Sequence, residues 1–186
     1  QQMRKPELLA PAGNLEKLKI ALAYGADAVY IGGRQFGLRA FADNFSVEEM
    51  GEGISFAHSM GKKVYVTMNI FARNYDFDGM ADYIRTLKQL KADAVILSDP
   101  GILTLVKETE PDLEIHLSTQ ANNTNWRGAM FWHKHGVKRI ILARELSLDE
   151  IRQIRENTPE SLELEVFVHG AMCMSYSGRC TISNYL

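Results

Sequence analysis

The segment Glu165-Val166-Phe167-Val168-His169-Gly170-Ala171-Met172-Cys173, continued through Ser175, Gly178 and Arg179 to Cys180, concentrates the residue types able to carry chemistry and holds both cysteines of the chain. A strand of period two projects Glu165, Phe167 and His169 to one side, and a glycine-containing turn then brings Cys173 and Cys180 within reach of one ligand. Two thiolates with six residues between them suit a soft metal or an iron-sulfur centre better than calcium or magnesium. The same spacing also fits two ordinary buried cysteines near a strand end. It is not the tight Cys-x-x-Cys arrangement that lowers a thiol pKa. A cysteine nucleophile with His169 as base is a further arrangement, and it requires Cys173 to face the imidazole beside an oxyanion hole.

Asn69, His116, Gln120, Arg144 and Glu145 form a second set, expected to meet substrate together with the catalytic candidates Glu165, His169 and Arg144. Arg144 offers a rigid fork of donors to a carboxylate or phosphate. An ion pair from Arg144 to Glu145 or Glu165 that closes one end of the fold would look the same in sequence. His116, inside Ile115-His116-Leu117, equally fits a satisfied core histidine, while His58, His133 and His135 read as helix-surface residues. Gly32-Gly33 follows a strand but lacks the dinucleotide-binding spacing and its acidic partner. Gly37, flanked by Arg34 and Arg39, reads as a basic loop over the mouth. Trp126, Arg127, Trp132, His133, Lys134, His135, Lys138 and Arg139 bring aromatic and basic groups close together, as a nucleic-acid surface or as ordinary helix packing and solvation.

These residues are positioned by a regular alternation of short β-branched runs and longer amphipathic stretches, which predicts parallel βα architecture. Strands are expected over 7–10, 28–31, 63–69, 94–98, 114–117, 139–142 and 164–168, the last run beginning near residue 162. Asn14 caps a helix lined by Leu15, Leu18 and Leu22. Ser46 opens another with Glu49 at capping-box spacing, and Ser147 repeats this with Glu150. Further helices are expected over 77–90 and 125–135. Strand starts recur roughly every 26 residues, a spacing that suits successive βα units. A closed eight-fold barrel usually needs about 250 residues. The expectation is therefore an incomplete (β/α) TIM-like barrel with about seven parallel strands, in a single N-terminal barrel-like domain over 1–186 that stops before an eighth strand and any C-terminal domain. An open doubly wound sheet is the rival. In the barrel, the carboxyl ends of the strands share one rim, so Asn69, Asp99, Ser118-Thr119-Gln120, Arg144, Glu145 and His169 become neighbours.

Composition narrows the classes. In 186 residues, 46% are hydrophobic and 24% charged, enough apolar material for one cored domain and against disorder. The formal charge of −2 removes a strongly basic nucleic-acid coat while leaving room for a local patch. Two cysteines build no disulfide framework, which makes a reducing cytoplasm the expected compartment. The longest apolar runs fall far short of the roughly 20 residues of a membrane helix. No His-Glu-x-x-His helix or Gly-x-Ser-x-Gly elbow supports a common hydrolase.

The pattern Glu165-x-Phe167-x-x-Gly170-Ala171-Met172-Cys173-x6-Cys180-x-Ile182-Ser183 resembles the signature of the so-called U32 peptidase family. Glu7-Leu8-Leu9-Ala10-Pro11-Ala12-Gly13, Ala26-Asp27-Ala28-Val29-Tyr30 and Leu142-Ala143-Arg144-Glu145-Leu146-Ser147 extend the likeness over nearly the whole chain. The family takes its name from early protease and collagenase assignments, whereas members act in oxygen-independent hydroxylation of nucleic-acid bases or quinone precursors. The resemblance implies that Cys173 and Cys180 are two of four cysteine ligands to a 4Fe-4S cluster, the others lying beyond Leu186, so that the cluster is absent or incomplete in this chain alone. It also implies tRNA as a partner, hydroxylation at the wobble uridine, and a small anionic oxygen donor such as prephenate, whose two carboxylates suit Arg144. Two alternatives stay open: a collagenase-like peptidase using Glu165, His169 and Cys173, and a non-catalytic scaffold that binds RNA or protein through the rim. Strand edges left open by an incomplete barrel would favour a homo-oligomer.

Overall fold

A computed structural model describes residues 5–38, 44–169 and 172–176. Seven parallel strands alternate with helices: β1 (Glu7–Pro11), α1 (Leu15–Ala23), β2 (Ala28–Gly32), α2 (Val47–Ser59), β3 (Lys63–Thr67), α3 (Met80–Gln89), β4 (Ala94–Leu97), α4 (Pro100–Thr109), β5 (Ile115–Leu117), α5 (Trp126–Lys134), β6 (Arg139–Ile141), α6 (Leu148–Glu156) and β7 (Glu163–His169). This is the expected TIM-like arrangement.

The ring is closed by a device the sequence reading leaves out. An eighth strand, β8 (Met172–Tyr176), runs antiparallel between β7 and β1 and completes a closed barrel in the order β1 to β8. In these residues the place between β7 and β1 is taken by this antiparallel arm rather than by an eighth parallel strand. Both edges that would have invited strand addition, β1 and β7, are paired.

Local chemistry fixes the helix starts. Asn14 accepts the Lys17 N–H at 2.8 Å, and Ser46–Glu49 and Ser147–Glu150 form reciprocal capping boxes. Helix α4 is absent from the sequence reading. It begins with Asp99 accepting the Gly101 N–H at 2.6 Å and with Pro100 in the first turn, where a missing N–H costs nothing. Helix α3 starts at Met80, later than expected, because Asn74–Phe77 forms a separate 3-10 turn and Gly79, at φ 75°, reverses the chain before the helix.

The strands separate two apolar layers. Val29, Ile31, Val64, Val66, Val95, Leu97 and Ile140 face outward and pack with Leu18, Leu22, Ile54, Ile84, Leu87 and Ile102 from the helices. Leu9, Ala28, Tyr65, Ala94, Ile96 and Ile141 face inward, with Tyr30 and Phe167 against them. Each fully buried aliphatic side chain contributes roughly 1.5–3 kcal/mol, so the outer layer carries most of the stability. That leaves the barrel interior able to hold polar groups. Among the described residues, no helix is long and apolar enough to cross a membrane.

Candidate functional site

At the carboxyl ends of the strands the barrel opens into a cavity of about 420 Å3, the usual position for a site in this architecture. Its wall is assembled from short turns that follow the strands. On β3, Thr67 Oγ1 donates to the Ile31 carbonyl at 3.3 Å, and Asn69 just beyond it accepts the Leu38 N–H through Oδ1 at 3.1 Å. Asn69 thereby holds one side of the loop that carries Gly37 and Leu38 over the cavity. Gly33 permits the turn below that loop, since a Cβ there would overlap Tyr83 Oη and Met50 Cε. After β5, Ser118 Oγ receives the Gln120 N–H at 3.4 Å and donates to Gln120 Oε1 at 3.0 Å, which fixes the amide at the mouth.

Arg144 follows β6 in an exposed turn, with its guanidinium carbon 4.0 Å from the centroid of the Phe167 ring on β7. Stacking on an aromatic face holds the planar fork in one orientation at the mouth. Glu165 lies deeper on the same strand as Phe167, fully buried, and lines the floor. Cation, amides, hydroxyls and a carboxylate thus converge on one partly apolar cavity, a combination that binds a small anionic or polar molecule with defined orientation.

Beneath the floor lies a buried ionic cluster centred on Arg139. Its Nη1 donates to Glu7 Oε1 at 2.7 Å and to Glu165 Oε1 at 3.4 Å, while Nε and Nη2 donate to Glu163 Oε2 at 2.9 and 2.7 Å. Tyr65 donates its hydroxyl to Glu7 at 2.8 Å and lies under the guanidinium, 5.2 Å from centroid to Cζ. Burial acts to lower the Arg139 pKa, but the Glu7 hydrogen bond and the surrounding carboxylates outweigh it and hold it above the ordinary arginine value. Burial pushes Tyr65 well above a normal phenol. Arg139 ties the floor carboxylate Glu165 to the amino end of the barrel.

Asn69, Gln120, Arg144 and Glu165 come together as expected. His116 does not join them: it faces the interior with its Nε2 2.7 Å from Glu114 Oε2 and its ring edge-on to Tyr65 at 4.6 Å. Burial holds it below the ordinary imidazole value. The rim position expected for His116 is therefore corrected to the core alternative. Glu145 is exposed beside Arg144 and is not part of the cavity wall, and Asp99 serves as the α4 cap and accepts the Ala72 N–H at 2.9 Å. The backbone of His169 ends β7, opposite Met172. Cys173 pairs in register with Phe167 on β7 and Leu9 on β1. Cys180 and Arg39 lie outside the described residues. Arg139 was missed as a site-supporting residue and grouped with the neighbouring basic run. The signal for it was Glu163 and Glu165 on β7, two apart and therefore on one face beside it.

Thiolates are the right donor type for an iron-sulfur cluster, but this chain offers two where a four-cysteine cluster needs four. The described residues contain no group of three or more His, Cys, Asp or Glu able to hold a metal.

Comparison with known proteins follows the same lines. The model of Peptidase family U32 matches residues 13–186. The chain is 52% identical over 183 residues to "tRNA hydroxylation protein P1" of Bacillus subtilis (strain 168), covering 98% of this chain and 43% of that protein. It is 42% identical over 178 residues to "23S rRNA 5-hydroxycytidine C2501 synthase" of Escherichia coli (strain K12), covering 96% of this chain and 26% of that one. The chain thus spans less than half the length of these relatives. Among solved structures it superposes on the U32 peptidase Mk0906 with a TM-score of 0.72 at 18% identity, over 89% of this chain and 69% of the other, a likeness of fold.

Proposed function

The chain belongs to peptidase family U32, and we propose that it is the barrel of an RNA-hydroxylating enzyme whose substrate is tRNA. The observation that carries this reading is the rim cavity, in which Asn69, Gln120, Arg144 and Glu165 converge, in a chain 52% identical to a protein named for tRNA hydroxylation. A protein named for hydroxylation of an rRNA cytidine is 42% identical over 178 residues of this barrel, which favours base hydroxylation as the common chemistry.

In this reading the acceptor is the wobble uridine and the oxygen donor is a small dicarboxylate such as prephenate. Arg144, oriented by Phe167, pairs with one carboxylate of the donor through charge-assisted hydrogen bonds. Gln120 and Asn69 would orient donor or base by their amides. Glu165, buried at the floor and tied to Arg139, would accept a proton from the group above it. Cys173 and Cys180 would hold a 4Fe-4S cluster with two thiolates from outside these residues, and such a cluster supplies one-electron redox chemistry when bound.

The test is anaerobic reconstitution of the natural full-length protein with iron and sulfide, followed by incubation with unmodified tRNA with and without prephenate and nucleoside mass spectrometry. Hydroxylated uridine that depends on the donor and is lost in Arg144→Gln, with near four iron and four sulfide per chain lost on Cys173→Ala or Cys180→Ala, is the expected result. Absence of hydroxylated uridine from the reconstituted protein would overturn the reading.

A further inference from the structure

Residues 115–144 contain no aspartate or glutamate, in a chain that carries 23 of them against 21 Lys and Arg. This acid-free stretch is one structural unit: β5, the rim turn at Thr119–Ala121, helix α5, strand β6 and the turn that presents Arg144. Arg139 and His116 of this stretch meet carboxylates from neighbouring segments inside the barrel, which leaves the outer side of α5 as the part of it without acidic residues of its own.

Helix α5 gives the sector a distinct face. Arg127, Phe131, Lys134 and His135 stand at i, i+4, i+7 and i+8, the spacing of one helix side, and all four are exposed. The Arg127 guanidinium carbon lies 4.6 Å from the centroid of the Trp126 ring. The Phe131 side chain is 52% exposed, an unusual position for a large aromatic on the outside of a barrel. Its ring meets Trp132 edge-on at 5.4 Å and His135 at 4.3 Å. At the far end of the helix, Lys107 of α4 reaches across to Gly136, where an added Cβ would lie 2.9 Å from its Nζ. The stripe begins at the mouth, because Thr119 and Gln120 line the cavity and Asn125 caps α5 a few residues later.

Aromatic rings and a stacked guanidinium, interleaved with cations and free of carboxylates, match the chemistry of unpaired RNA, in which bases stack and phosphates are paired by Lys and Arg. A protein partner of mixed surface charge would favour acidic and basic groups together, and the first of these is missing. We propose that the outer face of α5 is the docking surface for single-stranded RNA. Nucleotides flanking the target stack on Phe131 and on the Arg127–Trp126 pair, while the target base enters the cavity beside Arg144. The inference rests on the RNA-hydroxylation reading of that cavity and adds the surface by which the RNA is held.

The experiment is fluorescence anisotropy of the full-length protein with a labelled, unmodified tRNA anticodon stem-loop carrying uridine at the wobble position, measured across a salt series. Removing two phosphate contacts in Arg127→Gln/Lys134→Gln weakens binding tenfold or more and lowers the log–log salt slope by about 1.4–1.8. Phe131→Ala weakens it roughly 5- to 100-fold through lost stacking. Lys17→Gln/Lys88→Gln, the same charge change on exposed sites of α1 and α3, stays within twofold. Circular dichroism establishes that each variant is folded. If the wild type binds and the α5 variants match the α1/α3 control, the surface is overturned while the reading of the cavity stands. If the wild type does not bind the stem-loop or whole tRNA, the reading of the cavity falls with it. Loss of a protein partner in the α5 variants with RNA affinity unchanged assigns the face to protein and also overturns the proposal.

Discussion

Replacing Arg139 by methionine removes the one cation at 2.7 Å from both Glu7 and Glu163 and at 3.4 Å from Glu165, while keeping similar side-chain volume. The side chains of Glu7 and Glu163 are about one-fifth exposed, at 20% and 22%, so water can solvate them in part; that of Glu165 is 1% exposed and cannot be rescued this way. Breaking a buried ion pair by removing one partner destabilises by roughly 3–5 kcal/mol, and the value expected here lies in that range because Glu7, Glu163 and Glu165 all lose this cation. For a domain of this size the loss corresponds to a fall in Tm of roughly 6–20 °C. Adding Glu165→Gln to the variant recovers part of the loss, since a neutral amide replaces a buried carboxylate that has lost this cation. Urea unfolding followed by circular dichroism at pH 7 measures both quantities. A loss under about 1 kcal/mol would refute the description of this cluster as a set of carboxylates held by Arg139.

Other consequences are as direct. Burial holds His116 below its ordinary pKa of 6.5, so the folded protein keeps it neutral while the unfolded chain takes up a proton near that pH. Its contribution to stability is complete above pH 6.5 and is lost as pH falls below it; an NMR titration places its midpoint under 6.5, and a midpoint at or above that value contradicts the burial. Gly33→Ala forces a Cβ against Tyr83 and Met50 and lowers stability by roughly 1–3 kcal/mol, read by urea unfolding, with an unchanged midpoint as the contrary result. Arg144→Gln weakens binding of a dicarboxylate such as prephenate roughly ten- to hundredfold by calorimetry, as expected for a lost charge-assisted pair, while stability falls by only about 1 kcal/mol through the lost stack on Phe167. Equal affinity in both proteins would remove Arg144 from the site.

Much of this architecture is legible from sequence because it is written in local chemistry. The caps at Asn14, Ser46 and Ser147 and the β-branched runs between them locate most helices and all seven parallel strands. Helix α4 escaped because its apolar run joins strand four after only Asp99-Pro100, which read as a strand end. Strand β8 escaped because Met172–Tyr176 pairs antiparallel, where a repeating βα pattern leads one to look for a helix next. The placement of His116 and Arg139 has a different cause. Both lie in three-residue strands, His116 between Ile115 and Leu117 and Arg139 at the start of its strand after Lys138, and in a parallel strand buried on both faces alternation does not say which face is which. Only the closed ring, which sets Glu7, Tyr65, Glu163 and Glu165 around Arg139, decides it. Arg144 and Gln120 were found because residues just past a barrel strand must reach the rim whatever the strand's parity.

The central claim, that the cavity at the carboxyl end of this barrel serves RNA hydroxylation, is tested most directly in cells lacking the gene for the full-length protein. These are complemented with the wild type, with Arg144→Gln, or with the surface control Lys88→Gln at matched protein levels, and their tRNA nucleosides are quantified by mass spectrometry. Hydroxylated wobble uridine restored by the wild type and by Lys88→Gln but not by Arg144→Gln is the predicted result. Equal restoration by all three, or by none, would contradict it.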